Sequence, residues 1–205
     1  MPRPLQRCPR CRFPPEFCLC PAIPRLAAPF RLVVVRHASE RERMSNTARW
    51  AALALDGAEI LEHALPGVPL DETLLRAPGA VALFPSPRPE DAAAPATPPP
   101  ILVVPDGTWT QARRMMQRLP ALQRLPRLSL PGPPAGLRLR RPPWPDGMST
   151  LEAIAGALAA FGAGDASARL LALHDAGVER VLRLKGTWDA DSAAAIARRR
   201  ATEVS

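Results

Sequence analysis

Apolar residues in this chain form short continuous runs, and between them lie longer stretches in which they recur every three or four positions. Residues 30–36 and 79–84 are runs rich in valine or alanine, and residues 101–104 form a third that stops at Pro105. Runs of this length, bounded by turn residues, predict strands buried on both faces. Residues 58–63 make a weaker strand, and 127–130 and 136–140 are candidates for short ones. Helical spacing predicts helices over 45–55, 108–119, 149–161 and 167–176, while 178–184 reads as a strand or a helix extension. Ser149-Thr150-Leu151-Glu152 has serine at an N-cap and glutamate three residues on, a capping box. Strands alternating with helices predict an α/β domain with a largely parallel sheet.

Composition adds constraints. The 205 residues suit one catalytic-sized domain, 30–205, preceded by a small cysteine-bearing module, 1–29. The 27 prolines include clusters in 85–100 and 131–145, which predicts extended excursions there. A net charge of +8, carried almost wholly by arginine with Lys185 as the sole lysine, points to a polyanionic partner. A GC-rich genome would produce the same arginine bias. No apolar run reaches membrane-spanning length and the N-terminus lacks a signal-peptide core, so a cytoplasmic protein with no membrane association is expected. Thiols stay reduced there.

That compartment changes the reading of Cys8, Cys11, Cys18 and Cys20, which form C-x2-C-x6-C-x-C. Four thiolates so close suit one closed tetrahedral ion, and Zn²⁺ in a structural role is the expected occupant. Iron, two disulfides or unpaired thiols are the alternatives. A metal here would also present Arg7, Arg10 and Arg12 to RNA.

The densest chemistry lies in Pro105-Asp106-Gly107-Thr108-Trp109, where a strand gives way to a helix. Ligands of open α/β sheets bind in the crevice at such strand ends. The turn offers a carboxylate, a glycine that permits close approach, a hydroxyl that can cap the helix, and an indole; Arg113 and Arg114 follow one turn later.

Asp106-Gly107-Thr108-Trp109 resembles the DxTW motif of the DTW-domain family. The resemblance extends through the four cysteines, Arg36-His37-Ala38-Ser39-Glu40, Asn46-Thr47-Ala48, Leu83-Phe84-Pro85-Ser86 and Met148-Ser149-Thr150-Leu151-Glu152-Ala153, in the family's order over roughly residues 7 to 160. It implies a fold similar to the SPOUT class, with a trefoil knot, and transfer of a 3-amino-3-carboxypropyl group from S-adenosylmethionine to a uridine of tRNA. It also implies a cofactor site made by Leu83, Pro85, Ser86, Gly107, Thr108, Trp109, Ser149, Thr150 and Leu151. Asp106 would be catalytic, either as the base that accepts the uridine N3 proton or as an orienter of the transferred ammonium. Arg36, His37, Glu40, Asn46, Arg113, Arg114, Arg138, Arg140 and Arg141 would form the tRNA-binding rim. No stable protein partner is expected. Pro87 stands where relatives often carry an acid, and leucine beside Arg138 and Arg140 where they often carry an aromatic. A SPOUT-type methyltransferase using the same cofactor and a non-catalytic zinc-containing RNA-binding module are the competing functions.

Overall fold

In the computed structural model, residues 7–86, 97–130, 137, 139 and 147–202 are described. Five strands form one parallel sheet: β1 Arg31–His37, β2 Glu59–His63, β3 Ala80–Leu83, β4 Ile101–Asp106 and β5 Arg127–Leu128, in the order β2-β1-β4-β3-β5. The predicted 136–140 strand falls largely outside the described residues.

β1 and β4 read as unbroken apolar runs because helices cover both faces of the sheet. Leu32, Val34, Leu102 and Val104 point to one face, where they meet helices α1 Thr47–Ala54, α4 Thr150–Ala160 and α5 Gly164–Leu184. Val33, Val35, Ile101 and Val103 point to the other, covered by Met115 and Met116 of α2 Trp109–Arg118 and by Leu122 of α3 Pro120–Gln123. The chain closes with α6 Ala190–Thr202.

Two sequence expectations are sharpened. β4 does not end at Pro105 but runs through it to Asp106. β3 pairs with β4 only as far as Val103, so beyond that point β4 has β1 alone beside it. An edge-like position of that kind tolerates the missing N–H of proline. Residues 178–184 continue the helix begun at Gly164, giving one 21-residue α5. Among the described residues of the cysteine segment, Cys11, Phe13, Leu19 and Leu26 are buried in the same cluster as Trp50, Ile154 and Leu170.

That shared core is tightest where α1 meets α5. Trp50 packs its ring on Phe13 at 5.9 Å between centroids and donates its indole N–H to the Met44 carbonyl at 3.1 Å. Gly177 also lies against the indole, where an added Cβ would stand 2.4 Å from the ring. Overpacking a filled site costs about 1–3 kcal/mol. Gly177→Ala is therefore expected to lower the thermal midpoint by several degrees, whereas Gly164→Ala, where a Cβ meets nothing within 4 Å, leaves it unchanged or slightly raised. Equal midpoints for the two variants in a thermal melt would contradict this packing.

Candidate functional site

The sheet order places a crevice. After β1 the chain moves outward to β2, and after β4 it moves the opposite way to β5, so the connections leaving adjacent strands β1 and β4 diverge. Ligand sites in parallel sheets form at such switch points. A cavity of about 660 Å³ opens there, walled by the ends of β3 and β4, the starts of α1 and α4, and the turn into α2. Small-molecule sites span roughly 300–1,000 Å³.

Asp106 is the last residue of β4 and only 4% exposed, yet it lines this cavity. Its two carboxylate oxygens accept hydrogen bonds from different helices: Asn46 Nδ2 donates to Oδ2 and Thr150 Oγ1 to Oδ1, each at 2.7 Å. Asn46 also caps α1, its Oδ1 accepting from the Arg49 amide at 2.9 Å. Burial pushes the Asp106 pKa up, against the lowering effect of the two donors; Glu40 adds to the rise and Arg36 opposes it. Desolvation is the larger effect, so the carboxylate holds a proton more strongly than one in water.

Trp109 is half-buried rather than a core residue, and its ring tilts at 53° to Phe84, 6.2 Å away, to make an aromatic wall. Thr108 caps α2 in a capping box with Gln111. Ser149 and Glu152 form the capping box read from the sequence, at 2.8 and 3.2 Å, and open α4 onto the cavity. Of the residues expected at the cofactor, Leu83, Pro85, Gly107, Thr108, Trp109, Ser149 and Thr150 line the cavity. Leu151 does not; one residue further along α4, its side chain turns into the core and is fully buried. Ser86 also lies off the lining.

The residues assigned to the RNA rim do not share one surface. Glu40 and Asn46 are buried cavity residues, Glu40 paired with Arg43 at 3.3 Å. Arg36 is buried as well, its guanidinium bound to Glu62 of β2, so it is no surface phosphate ligand. His37 lies beside the cavity without lining it, and its Nδ1 contacts Ser39 Oγ at 2.9 Å and Gln111 Nε2 at 3.3 Å. Arg113 and Arg114 are exposed on α2. Arg138, Arg140 and Arg141 lie outside the described residues, although Leu139 between them lines the cavity.

Sequence reasoning missed a buried charged group behind α4. Glu152, His174, Asp175 and Arg199 are each at most 1% exposed. Arg199 of α6 bonds Asp175 and lies 3.4 Å from Glu152 and 3.0 Å from His174 Nδ1, while His174 Nε2 lies 3.3 Å from Ser149 Oγ. In the sequence His174-Asp175 sits inside an amphipathic helix, and Arg199 belongs to an arginine run that reads as surface. Only the helix packing brings them together.

The four cysteine sulfurs lie within 4.8 Å of one another, with 3.6 Å between Cys8 and Cys20 and 3.8 Å between Cys11 and Cys18. Disulfide sulfurs would be about 2.05 Å apart. Four sulfurs held about 2.3 Å from a tetrahedral ion stand roughly 3.8 Å apart, so the cluster could hold a metal ion. The backbone amide of Cys11 is the largest influence on the Cys8 thiol and brings its pKa down to about 6, whereas burial pushes the Cys20 thiol up to about 12. Among the described residues no helix is long and apolar enough to cross a membrane.

The profile of the DTW domain family matches residues 5–182. The chain is 29% identical over 170 residues to tRNA-uridine aminocarboxypropyltransferase 2 of Drosophila melanogaster, a stretch covering 75% of this chain and 65% of that protein. No solved structure matches significantly. With a family match across most of its length, the chain belongs to the DTW domain family.

Proposed function

We propose that this protein transfers the 3-amino-3-carboxypropyl group of S-adenosylmethionine to N3 of a uridine in tRNA, releasing 5′-methylthioadenosine. The observation that carries this reading is Asp106, a buried carboxylate of raised pKa facing a cavity with an aromatic wall. The name of the Drosophila relative supports the same reaction class and substrate. Glu40, Asp106 and Glu152 also give the lining an acidic character that suits a ligand bearing a sulfonium and an ammonium.

In this reading Trp109, Phe84 and Leu83 wall the adenine, and Ser149 and Thr150 face the amino-acid end. Uridine N3 attacks the methylene on the sulfonium. The new N–C bond forms as the C–S bond breaks, and the bond pair returns to sulfur to give the neutral thioether. The N3 proton passes to Asp106, which Asn46 and Thr150 hold in place. A carboxylate of raised pKa is a stronger base than one in water, which favours this role over orientation alone. The sulfonium supplies the activation when the cofactor is bound.

Two structural roles accompany the chemistry. A SPOUT-class fold with a trefoil knot in its C-terminal part belongs to the same proposal, and the parallel sheet with a cavity at its carboxyl edge supports it. Cys8, Cys11, Cys18 and Cys20 would hold a structural Zn²⁺, the usual partner of a closed four-thiolate set. Metal analysis of the purified protein should return one zinc per chain, and four freely titrating thiols without metal would refute that assignment.

Asp106→Asn should bind S-adenosylmethionine within about tenfold of wild type and lose on the order of 100-fold or more in transfer. Because the folded state holds the Asp106 proton more tightly than the unfolded chain, this residue's stabilising effect is lost as pH rises through its folded pKa. The uncharged variant should thus be at least as stable at neutral pH. The assay is mass identification of the nucleoside and the sulfur by-product after incubation with tRNA. Near-normal turnover by the variant would remove Asp106 from the chemistry, and S-adenosylhomocysteine would mark a methyltransferase instead.

For tRNA, the exposed pair Arg113 and Arg114 lies on the helix that leaves the cavity, so phosphate contacts there should release counterions. Binding should weaken with salt at a log–log slope of several units. Reversing both arginines to glutamate should raise the KM for tRNA and leave cofactor affinity nearly intact. A flat salt response, or an unchanged KM, would exclude this face.

A further inference from the structure

The family match ends at residue 182, yet α6 begins at Ala190 and buries Arg199 together with Ser192 and Ile196. Arg199 reaches Glu152 and Asp175 with its two terminal nitrogens, and the nitrogen that bonds Asp175 also lies 3.0 Å from His174 Nδ1. A guanidinium has donors only. His174 Nδ1 must therefore accept, and the single imidazole proton sits on Nε2. That N–H faces Ser149 Oγ at 3.3 Å. Ser149 Oγ already accepts from the Glu152 amide at 3.2 Å. With both acceptor positions of the oxygen taken, its remaining capacity is the O–H itself, at a residue that lines the cavity.

From this chain of contacts we infer that Arg199 and His174 are positioning residues that fix Ser149 as a hydrogen-bond donor towards the carboxylate of the ligand's amino-acid end. The alternative tautomer, with the proton on Nδ1, would let Ser149 donate to His174 and offer the cavity a lone pair, which repels a carboxylate. Arg199 thus selects between a donor and an acceptor at one cavity atom without touching the ligand. The carboxylate identity rests on the S-adenosylmethionine reading; the proton placement does not.

The proton placement is read in the ligand-free protein by ¹⁵N correlation spectra of the histidine rings. Wild type should show His174 as the pure Nε2–H tautomer, and Arg199→Lys, whose shorter side chain keeps the buried positive charge beside the carboxylates but falls short of Nδ1, should show a tautomer mixture. The carboxylate contact is read by comparing the affinities of S-adenosylmethionine and its decarboxylated analogue. Wild type should prefer the carboxylate-bearing ligand by about tenfold or more, and Arg199→Lys and His174→Leu should narrow the preference to less than about threefold. His174→Gln should restore it, because its amide oxygen can accept from Arg199 while its NH₂ donates to Ser149. A merely structural role would weaken both ligands equally and leave the ratio unchanged. An Nδ1–H tautomer in wild type, or an unaltered ratio in folded Arg199→Lys, would overturn the inference. If the lysine variant does not fold, Ser149→Ala carries the same ratio test. Failure of wild type to bind either ligand would count against the cofactor reading, while the spectra would still decide the tautomer.

Discussion

A buried carboxylate is tolerated only where hydrogen-bond donors meet it, and Asp106 meets them from two directions. Asn46 comes from the start of α1 and Thr150 from the start of α4, while Asp106 ends β4. Three elements must therefore arrive together to within hydrogen-bond tolerance. Much of the surrounding architecture serves that alignment. Both donor residues stand at helix starts: Asn46 is itself the N-cap of α1, and Thr150 follows the Ser149 cap of α4, so the cap geometry that begins each helix also aims the donor. Burial still prevails over the donors and leaves the acid with a raised pKa, a local cost of the kind that functional sites retain.

The cysteine segment contributes to the same alignment from outside the cavity. Arg49 of α1 reaches the carbonyls of Arg10 and Arg41, and Phe13 lies on Trp50 of the same helix. Leu26 exchanges backbone hydrogen bonds with Ala54 and Asp56 at the far end of α1, both at 2.9 Å. The helix that carries Asn46 is thus gripped along its length by the segment that holds the four thiols. Trp50 continues the line inward, with Gly177 against its ring and His174 edge-on at 6.5 Å. A metal at the cysteines would stiffen one end of a packed path whose other end is the cavity.

Local chemistry was legible in the sequence and long-range packing was not. The capping box at Ser149-Glu152, the strand run at 101–104 and the Asp-Gly turn are written in adjacent residues, so spacing alone places them. The bond from Asn46 to Asp106 is invisible in the sequence because the two lie sixty positions apart, and Arg36 reads as a surface cation until β2 brings Glu62 beside it. Leu151 sits inside a cavity-lining motif yet faces the core, because helical rotation separates it from Thr150 by about 100°. Arg199 was hardest to place: an arginine among arginines near the chain end carries no local sign of burial. Its place depends on α6 folding back across α5.

The central claim is that β4, α1 and α4 together hold Asp106 as a buried acid with an elevated proton affinity. The most direct measurement is a ¹³C-carboxyl NMR titration of the ligand-free protein, with Asp106→Asn used to assign the resonance. Asp106 should titrate above the ordinary aspartate value of about 3.9, and removing the donor through Asn46→Ala should move it higher still. A midpoint at or below the ordinary value, or one indifferent to Asn46, would contradict the account.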